Sequence, residues 1–412
     1  MPSREAVRIC CEASRQISPP AVCDPARVVS QSRFEEAFKA PRKIPQSMAL
    51  RTPQATPPQF ESWIPLARQV VRTSLRLGWK DVFTIYTYPP TIPLAEALAL
   101  EARRAGSDTH LTLMTDDLWF TSMRELSTKW LSAASPIEHA LAETETAHIY
   151  LGGPADARRM RAIPPEKFEA NSLGGDRQHE PRRKRRVRDI DLPIGRLTPE
   201  RAETYGLDYE RWYGSYHKAL AVDLKEIQRA GAALARSLRG RKKVRIDSEA
   251  GTDLRFETKA ISPIVSDGII SAEDIRRGFV RTTLPAGRLE VAIHPESVDG
   301  EIHGTDPIAF AGRPIVGPWF RVRSGRIVES GAAEHEDLLH RILRQSKSRR
   351  TRIGYVTIGL NEAAEPCMLD NSIVKDDVGV GLGPHRELER RIADPTVSFD
   401  WTVGPVRLEI GG

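Results

Sequence analysis

The feature that most constrains the fold of this chain is the alternation of helical and strand patterns between residues 63 and 153. Apolar residues first recur at helical spacing from Trp63 to Leu75, and Gly78 closes that segment. Strand and helix patterns then follow in turn: DVFTIYTY at 81–88, LAEALALEARRAG at 94–106, THLTLM at 109–114, PIEHALAE at 136–143 and AHIYLGG at 147–153. Strands separated by helices pair in parallel through right-handed crossovers, so this region predicts an α/β domain with a mostly parallel sheet.

The second half of the chain has a different pattern and predicts an α+β domain. It begins with one long amphipathic helix over residues 215–240, continues with short strand patterns beyond Lys242, and has a further helix over residues 334–346. Between the halves, the segment GGDRQHEPRRKRRVR at 174–188 has the composition of a loop and marks a domain boundary. The predicted organisation is therefore an extended N-terminal segment at 1–58, an α/β domain at 59–190 and an α+β domain at 191–412.

Composition narrows the class of protein. The 412 residues are 40% apolar and 28% charged, and no apolar run approaches the length of a membrane span, so we expect a soluble cytoplasmic protein without membrane contact. The four cysteines are too unevenly spaced for a disulfide framework or a zinc site. The net charge of +6 and the basic run Pro181–Arg188 permit contact with phosphate or an acidic peptide. That run has no interleaved aromatic residues, so nucleic-acid binding is not favoured.

Several phrases in the second half carry a family resemblance. They are GTDLRF at 251–256, LPAG at 284–287, VDGEI at 298–302, GRIVESGAAEHEDLLHRIL at 325–343 and IGYVTIGLN at 353–361. Their order and spacing resemble the thermophilic aminopeptidases, also called aminopeptidase T or peptidase family M29, from about Trp63 to Val403. The resemblance implies an M29-type fold, a homodimer, and a cleft that accommodates a peptide.

The resemblance also implies a site for two divalent metal ions, held by two glutamates, two histidines, an aspartate and a tyrosine. At the corresponding positions this chain has Arg288, Tyr355, Gly379, Arg386, Asp400 and Thr402. A guanidinium about 4 Å from a divalent ion is opposed by roughly 8 kcal/mol at an effective dielectric constant of 20. The sequence therefore predicts a degenerate metal site and no metal cofactor.

Arg288 follows the LPAG turn at the start of a strand, so the turn aims a cationic side chain into the cleft. A guanidinium there is suited to bind a carboxylate through two parallel hydrogen bonds. The alternative is a structural salt bridge with Glu290, on the same face of the strand, or with Asp400. The candidate ligand-binding residues are thus Arg288, Glu290, Tyr355, Arg386 and Asp400.

Three functional interpretations follow. The first is a non-hydrolytic M29 aminopeptidase-like protein that binds a peptide or peptide-derived small molecule; one setting that suits it is bacterial peptide natural-product (RiPP) biosynthesis, as an accessory to tailoring enzymes. The second is an active enzyme with a remodelled cleft, using one iron ion bound by His294, His303 and a carboxylate, or metal-free acid–base chemistry by Tyr355 and Asp400. The third is a divergent aminopeptidase that depends on a metal such as zinc.

Overall fold

A computed structural model of the protein describes residues 58–345, 352–367, 370–383, 388 and 399–411. The predicted extended segment at 1–58 lies outside the described residues except for Pro58, and the candidate Arg386 also lies outside them. The described residues belong to one compact unit. Within that part of the chain, no helix has the length and apolar character needed to cross a membrane.

The first part of the chain forms a five-stranded sheet with the order β2-β1-β3-β4-β8, in which every neighbouring pair is parallel. Its elements are α1 (Pro58–Gln69) with a π-helical turn (Val70–Ser74), β1 (Val82–Thr87), α2 (Ile92–Arg104), β2 (Asp108–Leu113), α3 (Asp116–Glu125), α4 (Thr128–Leu131), α5 (Pro136–Thr144), β3 (Ala147–Tyr150), α6 (Pro165–Arg185), β4 (Arg188–Asp191), α7 (Pro199–Tyr205) and α8 (Tyr209–Leu220). The predicted parallel α/β architecture is confirmed. The last strand, β8, comes from residues 281–283.

The run from Gly174 to Arg188 was predicted to be a loop, and that prediction is wrong. Most of the run lies in α6, and the strand β4 begins at its end with Arg188. A tertiary contact explains why the segment is helical. Arg182 is buried against helix α5 and forms ion pairs with the carboxylates of Glu138, at 2.8 Å, and Glu145. These contacts stabilise a helix that contains Pro181 and that local propensity disfavours.

The second part of the chain adds two antiparallel sheets, β14-β13-β10-β6-β5-β18 and β17-β16-β15-β9-β7, and a short hairpin β11-β12. Its elements are α9 (Leu224–Ser237), β5 (Lys243–Asp247), β6 (Asp253–Glu257), β7 (Ile264–Ser266), α10 (Ala272–Arg277), β8 (Arg281–Thr283), β9 (Arg288–Ala292), β10 (Asp299–His303), β11 (Ile308–Phe310), β12 (Arg313–Ile315), β13 (Trp319–Arg323), β14 (Arg326–Gly331), α11 (Glu336–Gln345), β15 (Ile353–Gly359), β16 (Asp377–Leu382), β17 (Phe399–Pro405) and β18 (Arg407–Gly411). The predicted helix near residues 334–346 is present as α11.

The single long helix predicted at 215–240 is instead two helices, α8 and α9. The chain leaves the helical path after Leu220 and starts again at Leu224. Asp223 causes this interruption, because its side chain accepts a hydrogen bond from the backbone N–H of Lys225 at 2.9 Å and so caps α9.

The two antiparallel sheets pack face to face around one apolar core, in which Phe320 of the first stacks on Trp401 of the second, with ring centroids 4.2 Å apart. Alternate residues of the five-stranded sheet, such as Leu289 and Val356, point into this core. The intervening residues therefore form a second, polar face on the opposite side of that sheet.

A buried polar cluster lies between the parallel sheet and α6. Neighbouring strands place His148 beside Asp189, and the imidazole Nδ1 lies 2.9 Å from the carboxylate. Arg281 lies 3.8 Å from the same carboxylate on the next strand, and the ring of His179 is 6.0 Å from that of His148. Burial, together with the charges of Arg281, His148 and Arg182, lowers the pKa of His179 to about 3, although Asp189 acts in the opposite direction.

We expect this cluster to make the protein sensitive to acid. Below pH 6.5 the unfolded chain protonates His179 while the folded chain does not, so stability falls as the pH drops from about 6.5 towards about 3. The contribution of this residue approaches a slope of about 1.4 kcal/mol per pH unit. In urea unfolding between about pH 7 and about pH 4, His179→Gln is expected to show a shallower loss of stability than the wild type. Identical pH profiles for the two proteins would contradict the prediction.

Candidate functional site

A cavity of about 740 Å³ lies at the carboxyl ends of the parallel strands and faces the five-stranded antiparallel sheet. Its first wall comes from the segments that follow β3, β4 and β8, including Pro154, Arg196 and Pro285. Its second wall comes from the antiparallel sheet and neighbouring loops, including Arg288, Asp370 and Asp400. The volume suits a small ligand, and this edge of an open α/β sheet is the usual place for one.

The register of the antiparallel sheet puts most of the sequence-predicted site residues on its polar face. Arg288 lies opposite Gly359, and Glu290 lies opposite Thr357. A second set of positions runs across three strands, from Tyr355 through Gly381 to Asp400. The structure thus brings Arg288, Glu290, Tyr355 and Asp400 to one face of the sheet; alternation along the strand predicts this for Arg288 and Glu290 alone.

Arg288 is held by acidic and hydroxyl groups of the same wall. Its Nε lies 3.4 Å from Glu290, its Nη1 lies 3.7 Å from Asp370, and Nη1 donates a hydrogen bond of 3.0 Å to the hydroxyl of Ser372. Burial opposes the charge of Arg288, but the carboxylates of Glu290, Asp370 and Asp400 outweigh it and raise the pKa of the guanidinium. The salt bridge to Glu290 that we considered as an alternative is therefore present.

Tyr355 is less accessible than its position on the polar face suggested. Its side chain is 2% exposed and is not part of the cavity wall. The ring lies over Gly381, where an added Cβ would come within 1.9 Å of the ring. At Gly379 an added Cβ would come within 2.3 Å of the hydroxyl of Thr357, so this position has no room for a larger side chain unless Thr357 moves.

The acidic groups of this wall include two that the sequence did not identify. Asp306 and Asp370 both line the cavity from loops. Burial raises the pKa of Asp306, although hydrogen bonds from Asn371 and Thr402 lower it. Burial and the charge of Asp306 raise the pKa of Asp377 to about 7. The turn sequence around Asp306, Gly304 to Pro307, is the one signal that could have pointed to a loop at the site.

The two histidines considered as iron ligands lie outside the cavity wall. His294 follows β9, and its backbone N–H donates a hydrogen bond of 2.8 Å to the carbonyl of Glu257. His303 ends β10 in the other antiparallel sheet, and its imidazole lies 3.9 Å from Glu301. Across the part of the chain that the structure describes, no three His, Cys, Asp or Glu side chains are grouped so that they could hold a metal ion.

Comparison with solved structures shows which proteins share this fold. The whole architecture superposes on wild-type AmpT from Thermus thermophilus with a TM-score of 0.66 at 18% identity, covering 85% of this chain and 94% of that one. A weaker likeness exists to 2,5-dihydroxypridine dioxygenase from Pseudomonas putida KT2440, with a TM-score of 0.52 at 12% identity, covering 86% and 92% of the two chains. At these identities both matches describe the fold alone.

Sequence comparison then shows a likeness to one family over part of the chain. Residues 219–365 match the model of the thermophilic metalloprotease family, M29. Aminopeptidase T from Thermus aquaticus is 33% identical over 146 residues, which are 31% of this chain and 36% of that protein. The chain is therefore similar to aminopeptidase T and to the M29 family over this part of its sequence, and the matched part spans about a third of this curated relative.

Proposed function

We propose that this M29-like protein binds a peptide or peptide-derived ligand in its cavity without hydrolysing it. The observation that carries the proposal is the guanidinium of Arg288, which occupies the position where the family resemblance places the first metal-binding carboxylate. Glu290, Asp370 and Ser372 hold this cation in place. A permanent positive charge there opposes a divalent cation.

The other described positions of the family's metal site also fit two metal ions poorly. Gly379 and Thr402 provide no anionic or imidazole donor, and the Tyr355 hydroxyl belongs to a side chain that is buried in the sheet. Asp400 is a suitable oxygen ligand, but one carboxylate does not build a two-metal site. We therefore derive no metal-dependent step from this cavity.

The cavity is nevertheless suited to a peptide. Its walls combine apolar and aromatic groups, such as Trp212 and Phe310, with arginines and carboxylates. Sites of this size usually bind a ligand through apolar contact and orient it through a few polar groups. The homodimer and the role beside tailoring enzymes in natural-product biosynthesis stay predictions.

The proposal is tested by metal analysis, hydrolysis and binding on the full chain purified without chelator. We expect less than stoichiometric zinc, manganese and iron, no leucine released from leucine amide, and measurable binding of trileucine by calorimetry. The metal analysis is repeated after incubation with zinc or manganese and desalting, so that simple loss of metal does not pass for support. Retention of two ions per chain, or release of leucine, would overturn the proposal.

A further inference from the structure

Arg201 is a buried cation on the cavity wall that forms no ion pair with a carboxylate of the described residues. Its residue is 5% exposed, and it lines the cavity from the start of α7. Its Nη2 donates a hydrogen bond of 2.6 Å to the carbonyl of Pro154, and its Nε has no hydrogen-bond partner. Among the described residues, no carboxylate lies within the 4.0 Å of an ion pair with Arg201. Burial of an unpaired charge is costly, so this arrangement calls for an anion.

Another buried arginine of the same protein shows the usual solution. Arg182 is 4% exposed, which is close to the value for Arg201, and it is bonded to both Glu138 and Glu145. The guanidinium of Arg182, which lies away from the cavity, is thus accompanied by two carboxylates. Arg201 has none, although its cost of burial is similar.

A second arginine adds to the positive charge on this wall. Arg196 is exposed and lines the same cavity, with its guanidinium carbon 5.8 Å from the centre of the Tyr150 ring. Burial, together with the charge of Arg196, lowers the pKa of Arg201 to about 10, so both side chains are cations at neutral pH. Burial raises the pKa of Tyr205 on the same wall, so its phenol stays neutral.

Two carboxylates act on the arginines from a distance without pairing with them. Asp116 influences Arg201, but it accepts hydrogen bonds from the backbone N–H groups of Ala155 and Asp156, at 3.0 and 3.4 Å. Asp191 influences Arg196 and lines the same cavity; its Oδ2 accepts a hydrogen bond of 3.3 Å from Arg281, and its Oδ1 is buried without a hydrogen-bond partner. Among the described residues no carboxylate lies within 4.0 Å of either guanidinium, so an anion in direct contact has to come from a ligand.

We propose that Arg196 and Arg201 form an anion subsite that takes the terminal carboxylate of the bound peptide. This inference rests on the proposed function and adds the orientation of the ligand, with its carboxylate at the ends of the parallel strands, opposite the acidic wall of Asp306, Asp370 and Asp400. Planar guanidinium groups suit a carboxylate because they offer two parallel hydrogen bonds.

Calorimetry with trileucine and trileucine amide tests the subsite, because these probes differ only at the carboxylate. We expect the wild type to bind trileucine more tightly than the amide. Arg196→Gln and Arg201→Met are each expected to weaken trileucine binding by about 10- to 100-fold and to leave binding of the amide unchanged. Arg229→Gln, which removes one charge from a side chain that is 74% exposed and outside the cavity, is the control and is expected to bind as the wild type does.

Two further arms separate failure of the subsite from failure of the proposed function. Acetate and inorganic phosphate are tested for their effect on thermal unfolding of the wild type and of Arg196→Gln, an exposed position where folding is not at risk. If neither peptide binds but acetate raises the melting temperature of the wild type alone, the carboxylate subsite stands and the peptide-binding function fails. Stabilisation by phosphate alone would overturn the carboxylate assignment. Equal affinities for trileucine and its amide would overturn the proposed subsite, and so would unchanged trileucine binding by Arg196→Gln. A wild type that responds to none of the peptides and anions would overturn it as well.

Discussion

Replacing Arg182 with methionine is expected to lower the free energy of unfolding by about 3–5 kcal/mol. The variant removes the cation that bonds Glu145 and Glu138 and leaves both carboxylates in a buried site. Taking one partner out of a buried pair costs much more than the pair itself contributes, because the remaining charge loses both water and its counterion. Urea unfolding followed by circular dichroism, with the slope of the transition compared as well as its midpoint, measures the effect.

Arg185 provides the matched control. It lies three residues further along α6 but is exposed, so Arg185→Met makes the same chemical change at the surface. That variant is expected to change stability by less than about 0.5 kcal/mol. Similar losses for Arg182→Met and Arg185→Met would show that the ion pairs of Arg182 do not stabilise the fold.

These residues also show why the sequence misled the interpretation of this segment. A helix that contains two adjacent glycines, a proline and a cluster of like charges has low intrinsic propensity. Only glycine fits at position 174, because the helix packs so closely on the backbone of Leu131 that an added Cβ would lie 2.2 Å from its carbonyl oxygen. The energy that makes the segment helical comes from residues about 40 positions away, such as Glu138, and local pattern cannot reveal it.

The parallel sheet could be predicted because its signals are local. Buried parallel strands are continuous apolar runs, and the first three strands and the helices around them follow the predicted order. Strand β4 was missed because it is only four residues long and begins within the basic run. The division of 215–240 into two helices depends on one residue, Asp223, whose side chain caps the second helix. A single aspartate inside an otherwise helical pattern is a weak sequence signal for such a cap.

The candidate site could be predicted only along its strands. Alternation in β9 was sufficient to place Arg288 and Glu290 on one face. The accessibility of Tyr355 could not be inferred, because it depends on the absence of a side chain at Gly381 on the neighbouring strand. Asp370 and Ser372, which contact Arg288, come from a loop more than 80 residues later in the chain. The sequence has no local pattern that joins them.

Arg288→Met is expected to lower the free energy of unfolding by about 2–4 kcal/mol, somewhat less than Arg182→Met because its side chain is 17% exposed. The variant leaves the carboxylate of Glu290 buried without its cation. Adding Glu290→Gln removes that charge and is expected to restore part of the lost stability, as urea unfolding of the two single variants and the double variant will measure.

Arg352→Met is the control, because its partner Glu296 is 69% exposed and such a pair contributes about 1 kcal/mol or less. A loss at Arg288 no larger than at Arg352 would contradict a structural ion pair.

The double variant Arg288→Met with Glu290→Gln also separates the two interpretations of Arg288. Because Glu290 and Asp370 already balance the charge of the guanidinium and Ser372 accepts a hydrogen bond from it, we expect Arg288 to contribute little to ligand binding. Trileucine is therefore expected to bind the double variant with the affinity of the wild type, whereas loss of Arg196 or Arg201 weakens it. A tenfold weaker affinity in the double variant would mean that Arg288 reaches the ligand directly. In that case the position that the family resemblance assigns to a metal ligand would be part of the peptide-binding surface, and the charge on the opposite wall would have only an auxiliary role.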